Sequence, residues 1–165
     1  MKKIAILYSA YIPVIDAIKY RLSEHNLKFL NYMPSNKDEY DLIVDINLGD
    51  NDGAAVLKCH KSLLPAFSSD EPIKEAFLYG AKVSGVTFYY DNPFKIVAQY
   101  PIFISEVSHY DEIEEEANYL IQTLFPIIIE KCINGENIDL KVLTGRKCSG
   151  SCTSCDNLRG CTCNH

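Results

Sequence analysis

Lys58-Cys59-His60-Lys61-Ser62-Leu63-Leu64-Pro65-Ala66-Phe67 is the stretch that decides the fold. It follows the apolar run Ala54 to Leu57, which has strand character, and its Leu-Leu-Pro forces the chain out of a strand and into a turn. His60 is thereby set at the carboxyl end of a strand. In open α/β sheets ligands bind at this edge, so an imidazole that titrates near neutral pH is a catalytic candidate there. A strand-end histidine held only for packing is the plainer alternative.

Working outward, Lys3 to Ser9 reads as a central strand, and Pro13 opens a helix with Val14, Ile15, Ile18 and Leu22 at helical spacing, running to about Asn26. Leu27 to Met33 and Asp41 to Ile46 read as further strands, apolar as buried parallel strands are. Strand, helix, strand, strand is the opening of a doubly wound sheet. Downstream, Pro72 to about Tyr79 reads as a helix stopped by Gly80, and Val83 to Tyr90 and Phe94 to Ile104 as a hairpin turned by Asp91-Asn92-Pro93. Ser108-His109-Tyr110-Asp111 has capping-box spacing before a long amphipathic helix, with a kink expected at Pro126 and a stop at Gly135. The acids from Asp111 to Glu116 crowd its first turns, where the helix dipole favours them, so they read as a solvated helix start rather than a metal site. A last short strand is expected over Ile138 to Leu143.

Length bounds the architecture: 165 residues make one domain with a small appendage, here 1–147 as the α/β domain and 148–165 as a Cys-rich tail. The basic start Met1-Lys2-Lys3 precedes an apolar run too short and too β-branched for a signal peptide, and no stretch approaches a membrane span. A soluble, cytoplasmic protein without a membrane partner is therefore expected. The formal net charge of −6 argues against a nucleic-acid surface, which needs clustered Lys and Arg.

Cys59 and Cys132 sit alone in apolar stretches and read as small hydrophobes. The tail carries Cys148-x-x-x-Cys152-x-x-Cys155 and then Cys161-x-Cys163-x-His165. Thiolates two to four residues apart converge on one ion, and Gly150 and Gly160 give the backbone freedom to do so. Zinc or an iron–sulfur cluster is the expected occupant, with docking of a protein partner as a further use of the tail.

The run from His60 through Ser62-Leu63-Leu64-Pro65 to Phe67, followed by Pro72-Ile73, Ala76-Phe77, Gly80 and Ser84-Gly85-Val86-Thr87, resembles the folate-dependent formyltransferases. These are the glycinamide ribonucleotide and methionyl-tRNA transformylase family, and the likeness extends from about Asp41 to about Gly135. It implies a Rossmann-like, mostly parallel sheet flanked by helices. It also implies transfer of a formyl group from 10-formyltetrahydrofolate to a small-molecule amine.

Three departures are visible in the sequence. Lys58 stands where the family has an Asn, Asp91 is the nearest acid to the family's Asp, and the loop after the first strand, Ser9-Ala10-Tyr11-Ile12-Pro13, lacks the glycine of a phosphate loop. The last of these argues against a phosphorylated acceptor. The resemblance assigns proton transfer to His60, an oxyanion or carboxylate contact to Lys58 and a third place to Asp91. Side chains two apart on a strand share a face, so Lys58 and His60 are expected to look into one cleft, with Cys59 turned away and the Lys58 charge lowering the imidazole pKa. The alternative is a degenerate formyltransferase scaffold that serves as a zinc or iron–sulfur metalloprotein through its tail.

Overall fold

The computed structural model describes residues 1–49, 53–136 and 138. Strands β1 (Lys3–Leu7), β2 (Asn26–Leu30), β3 (Leu42–Asp45) and β4 (Leu57–His60) are followed by β5 (Val83–Tyr90) and β6 (Lys95–Phe103). The helices are α1 (Val14–Arg21), α2 (Pro72–Tyr79) and α3 (Tyr110–Asn134). The strands form one sheet in the order β2-β1-β3-β4-β5-β6. The first four run parallel, β5 is antiparallel to β4, and β5 and β6 form the expected hairpin.

Alternation along the strands splits the sheet into two unequal faces. Ile4, Ile6, Val44 and Leu57 meet residues of all three helices in the main core. Ala5, Leu7, Ile43 and Val56 form a smaller cluster with Leu30, Met33 and Tyr40, to which no helix residue contributes among the described residues. The helix α3 spans the main core and packs along α1. Phe125, Ile128 and Ile129 on it are fully buried, each contributing about 1.5–3 kcal/mol of transfer free energy. No helix among the described residues is long and apolar enough to cross a membrane.

Several boundaries move from their sequence expectations for local reasons. The strand carrying the histidine starts at Leu57 rather than Ala54, because its partners are Val44 and Asp45 on one side and Thr87 to Tyr90 on the other. His60 is therefore the last residue of β4 itself. The long helix is capped one residue later than Ser108: the Glu112 carboxylate accepts from His109 N at 3.1 Å. It runs unbroken through Pro126 to Gly135, whose φ of 66° closes it in the left-handed region. Of the strand expected over 138–143, all but Ile138 lies outside the described residues.

Candidate active site

Two adjoining pockets of about 510 and 420 Å³ open at the carboxyl ends of β1, β3 and β4, and their walls share Ile46, Asn47, Cys59 and Lys61. Successive strands leave β1 in opposite directions at this point, which is where open α/β sheets bind ligands. His60, Ser69, Asp70 and Glu114 line the smaller pocket, and Ile12, Val14, Asn118 and Ile121 the larger.

The His60 ring is held at both nitrogens. Nε2 lies 3.1 Å from the Ser69 carbonyl, and Nδ1 lies 2.9 Å from Ser62 Oγ. A carbonyl only accepts, so the neutral ring carries its proton on Nε2, and the Ser62 hydroxyl donates to Nδ1. Burial pushes the His60 pKa below its ordinary value, opposed by the Ser69 carbonyl and by the charge of Asp70. The ring is thus a neutral Nε2–H donor on the cleft wall at neutral pH.

The turn that follows β4 is clamped by the hairpin. Thr87, opposite His60 in the register, donates to Ser62 O at 2.6 Å and accepts from Leu64 N at 3.0 Å. Gln99 on β6 donates to Leu64 O at 2.9 Å and to the Thr87 hydroxyl at 3.0 Å. Leu63 lies over Gly85, where an added Cβ would come within 2.6 Å of its Cδ2 and 2.3 Å of Tyr100 O. The two halves of the sequence resemblance, His60 to Pro65 and Ser84 to Thr87, are one packed unit.

Lys58 has a different setting from the one expected. Its Nζ lies 3.2 Å from Asp91 and 3.5 Å from Asp45, on the sheet face away from the helices. Cys59, not Lys58, lines the two pockets, because the cleft opens on the helix side of the sheet and His60 reaches it from the strand's tip. The Cys59 thiol is pushed by burial up to about 12, which leaves it an inert part of the wall. The lowered His60 pKa comes from burial rather than from the Lys58 charge. The structure therefore joins Lys58 to Asp91, adds Asp45, and gives His60 separate partners.

The loop after β1 is closed by Asn47. Its Oδ1 accepts from Ser9 N at 2.8 Å and Ala10 N at 3.5 Å, and its Nδ2 donates to Ala10 O at 3.0 Å. Backbone amides of the kind that cradle a phosphate are here turned to a side chain of the protein itself.

The tail residues Cys148, Cys152, Cys155, Cys161, Cys163 and His165 lie outside the described residues. Among the described residues no group of three or more His, Cys, Asp or Glu side chains is placed to hold a metal ion.

No family model matches the chain. A phosphoribosylglycinamide formyltransferase of Bacillus subtilis (strain 168) is 32% identical over 89 residues, covering 52% of this chain and 46% of that protein. The glycinamide ribonucleotide transformylase 1 of Geobacillus kaustophilus superposes with a TM-score of 0.67 at 16% identity, over 81% of this chain and 99% of that one. The phosphoribosylglycinamide formyltransferase of Bacillus halodurans gives 0.62 at 21% identity, over 83% and 98%. The chain has the fold of these formyltransferases. The solved structures establish the fold, and the curated relative adds sequence similarity, though that match spans only about half of the relative's length.

Within this formyltransferase fold, sequence reasoning singled out His60 but missed the residues that position it. Ser62 and Thr87 were visible only as parts of a motif, and no local signal marks their mutual contact, which spans 25 residues. Asp45 ended an apolar strand and read as part of it. Asn47 carried no signal beyond a polar residue in a loop.

Proposed function

We propose that the protein transfers a formyl group from a reduced folate, 10-formyltetrahydrofolate, to the nitrogen of a non-phosphorylated amine. The observation that carries this reading is the His60 ring, held at both nitrogens by Ser62 and Ser69 on the wall of a cleft at the sheet's carboxyl edge. The folate has a chemical fit: Asp70 beside His60 presents a carboxylate complementary to the N–H groups of an aminopyrimidine ring. When bound, the folate supplies the activated formyl group.

The chain's own part is to orient the reacting groups and to donate a hydrogen bond. His60 holds its proton at Nε2, aimed at the Ser69 carbonyl, and an oxygen that gains negative charge during transfer takes the place of that carbonyl. The proton released by the attacking amine passes to the departing nitrogen as the bond from the formyl carbon to that nitrogen breaks. The neutral His60 ring keeps its own Nε2 proton, because giving it up would leave an imidazolate anion. The buried setting keeps the ring neutral, so its Nε2–H remains a hydrogen-bond donor throughout the transfer. Lys58 and Asp91 supply a fixed ion pair behind the histidine.

Formyl transfer from 10-formyltetrahydrofolate to a panel of primary amines tests the reading. His60→Ala is expected to lower kcat by at least about a hundredfold with the fold intact by circular dichroism. Full activity in that variant would overturn the proposal.

A further inference from the structure

We infer that the larger pocket is an acceptor subsite selective for a primary amine that arrives as its ammonium and carries an apolar body free of phosphate or carboxylate. The assignment of an acceptor rests on the formyl-transfer reading; the selectivity rests on the walls of the pocket. Ile12, Val14, Ile46 and Ile121 make an apolar lining, and a volume of about 510 Å³ suits a small molecule. Asn118 and Gln122, one turn apart on α3, add two uncharged carboxamides at its rim, suited to hydroxyl or amide groups.

Charge decides against an anion. Lys61 lines both pockets, but its ammonium is paired with Glu114, and in the adjoining pocket Glu71 is paired with Lys74, which leaves the Asp70 carboxylate as the excess charge of the cleft. A cleft with an excess of carboxylates concentrates cations and repels anions. The usual alternative for an anion, the first turn of the helix after β1, is closed as well. Asn47 occupies the amides of Ser9 and Ala10, and Asp16 already places a carboxylate in the first turn of α1.

The test compares leucinamide with leucine, which differ by a carboxamide against a carboxylate, and adds inorganic phosphate as a third probe. Binding to the full chain is read by calorimetry, with amide NMR shifts at Ile121 and Gln122 to place the ligand. Leucinamide is expected to bind at the cleft at least about tenfold tighter than leucine, with phosphate silent. Glu114→Gln releases the Lys61 ammonium, and Gln122→Lys adds a second; either change is expected to narrow the preference severalfold. Leucine or phosphate binding as well as leucinamide, no leucinamide shift at the cleft, or an unchanged preference in both variants would each overturn the inference. None of these readouts uses the formyl donor. An intact preference with no transfer therefore removes the proposed reaction alone, and transfer without the preference removes the subsite alone.

Discussion

Asp45 and Lys58 are register partners at the carboxyl ends of β3 and β4, with Lys58 Nζ 3.5 Å from an Asp45 carboxylate that is only 2% exposed as a residue. The same carboxylate accepts from Leu48 N at 2.7 Å and Gly49 N at 3.1 Å. Its role is to turn the chain after β3 and to anchor the lysine beside it. The Lys58 ammonium is already shared between two carboxylates, which makes it part of the scaffold behind the histidine more than a free positive charge.

That arrangement separates the two acids by their stability cost. Asp45→Ala removes a buried charge, leaves Lys58 half-paired and orphans two backbone amides, and is expected to cost about 3–5 kcal/mol in urea unfolding. Asp91→Ala removes a partner that is 39% exposed and is expected to cost less than about 1 kcal/mol. Equal costs would show that the pair with Asp91 carries the lysine.

The clamp on the turn after β4 gives a second prediction. Thr87→Val keeps the shape but leaves Ser62 O and Leu64 N without the hydroxyl, at an expected cost of about 1–3 kcal/mol by thermal or urea unfolding. Gly85→Ala drives a methyl into Leu63 and the Tyr100 carbonyl, and overpacking of this kind costs about 1–3 kcal/mol. The two sites meet through the same turn, so the double variant is expected to depart from additivity by at least about 0.5 kcal/mol.

The sequence made the fold class legible because its signals are local. Period, proline and glycine set α2 between Pro72 and Gly80 and the hairpin over Val83 to Phe103. The site was legible only as far as His60. The face on which Lys58 points follows from alternation, but which face carries the cleft depends on where α3 packs, and that is a tertiary fact. Likewise Asn47 and Ser9 lie 38 residues apart, and nothing in either neighbourhood announces that one closes the other's loop.

Ser62 offers a way to separate orientation from packing. It is fully buried and lines neither of the two pockets, so its hydroxyl acts on the reaction only through the His60 ring. Ser62→Ala removes the donor to Nδ1 and frees the ring to take the other tautomer. We expect kcat to fall on the order of tenfold to a hundredfold with KM within about threefold, and the acidic limb of the kcat profile to move. A purely structural serine would lower stability and leave that limb in place.

The last prediction concerns acid. Burial depresses the folded-state pKa of His60 below its ordinary 6.5, so between the two values the unfolded chain binds the proton that the folded chain refuses. The contribution of His60 to stability is therefore fully present above pH 6.5 and is lost as pH falls through the folded value. His60→Gln cannot titrate and should flatten that part of the profile. Carboxylates with depressed pKa, such as Asp41 with its backbone bond from Lys3, add their own loss at lower pH, in both proteins alike. The difference between wild type and His60→Gln in unfolding free energy, measured from pH 5 to 8, isolates the imidazole. It should change in favour of wild type as pH rises through the window and level off above it. A flat difference would mean that the ring is as ready to take a proton folded as unfolded, and the neutral donor assigned to the cleft wall would lose its basis.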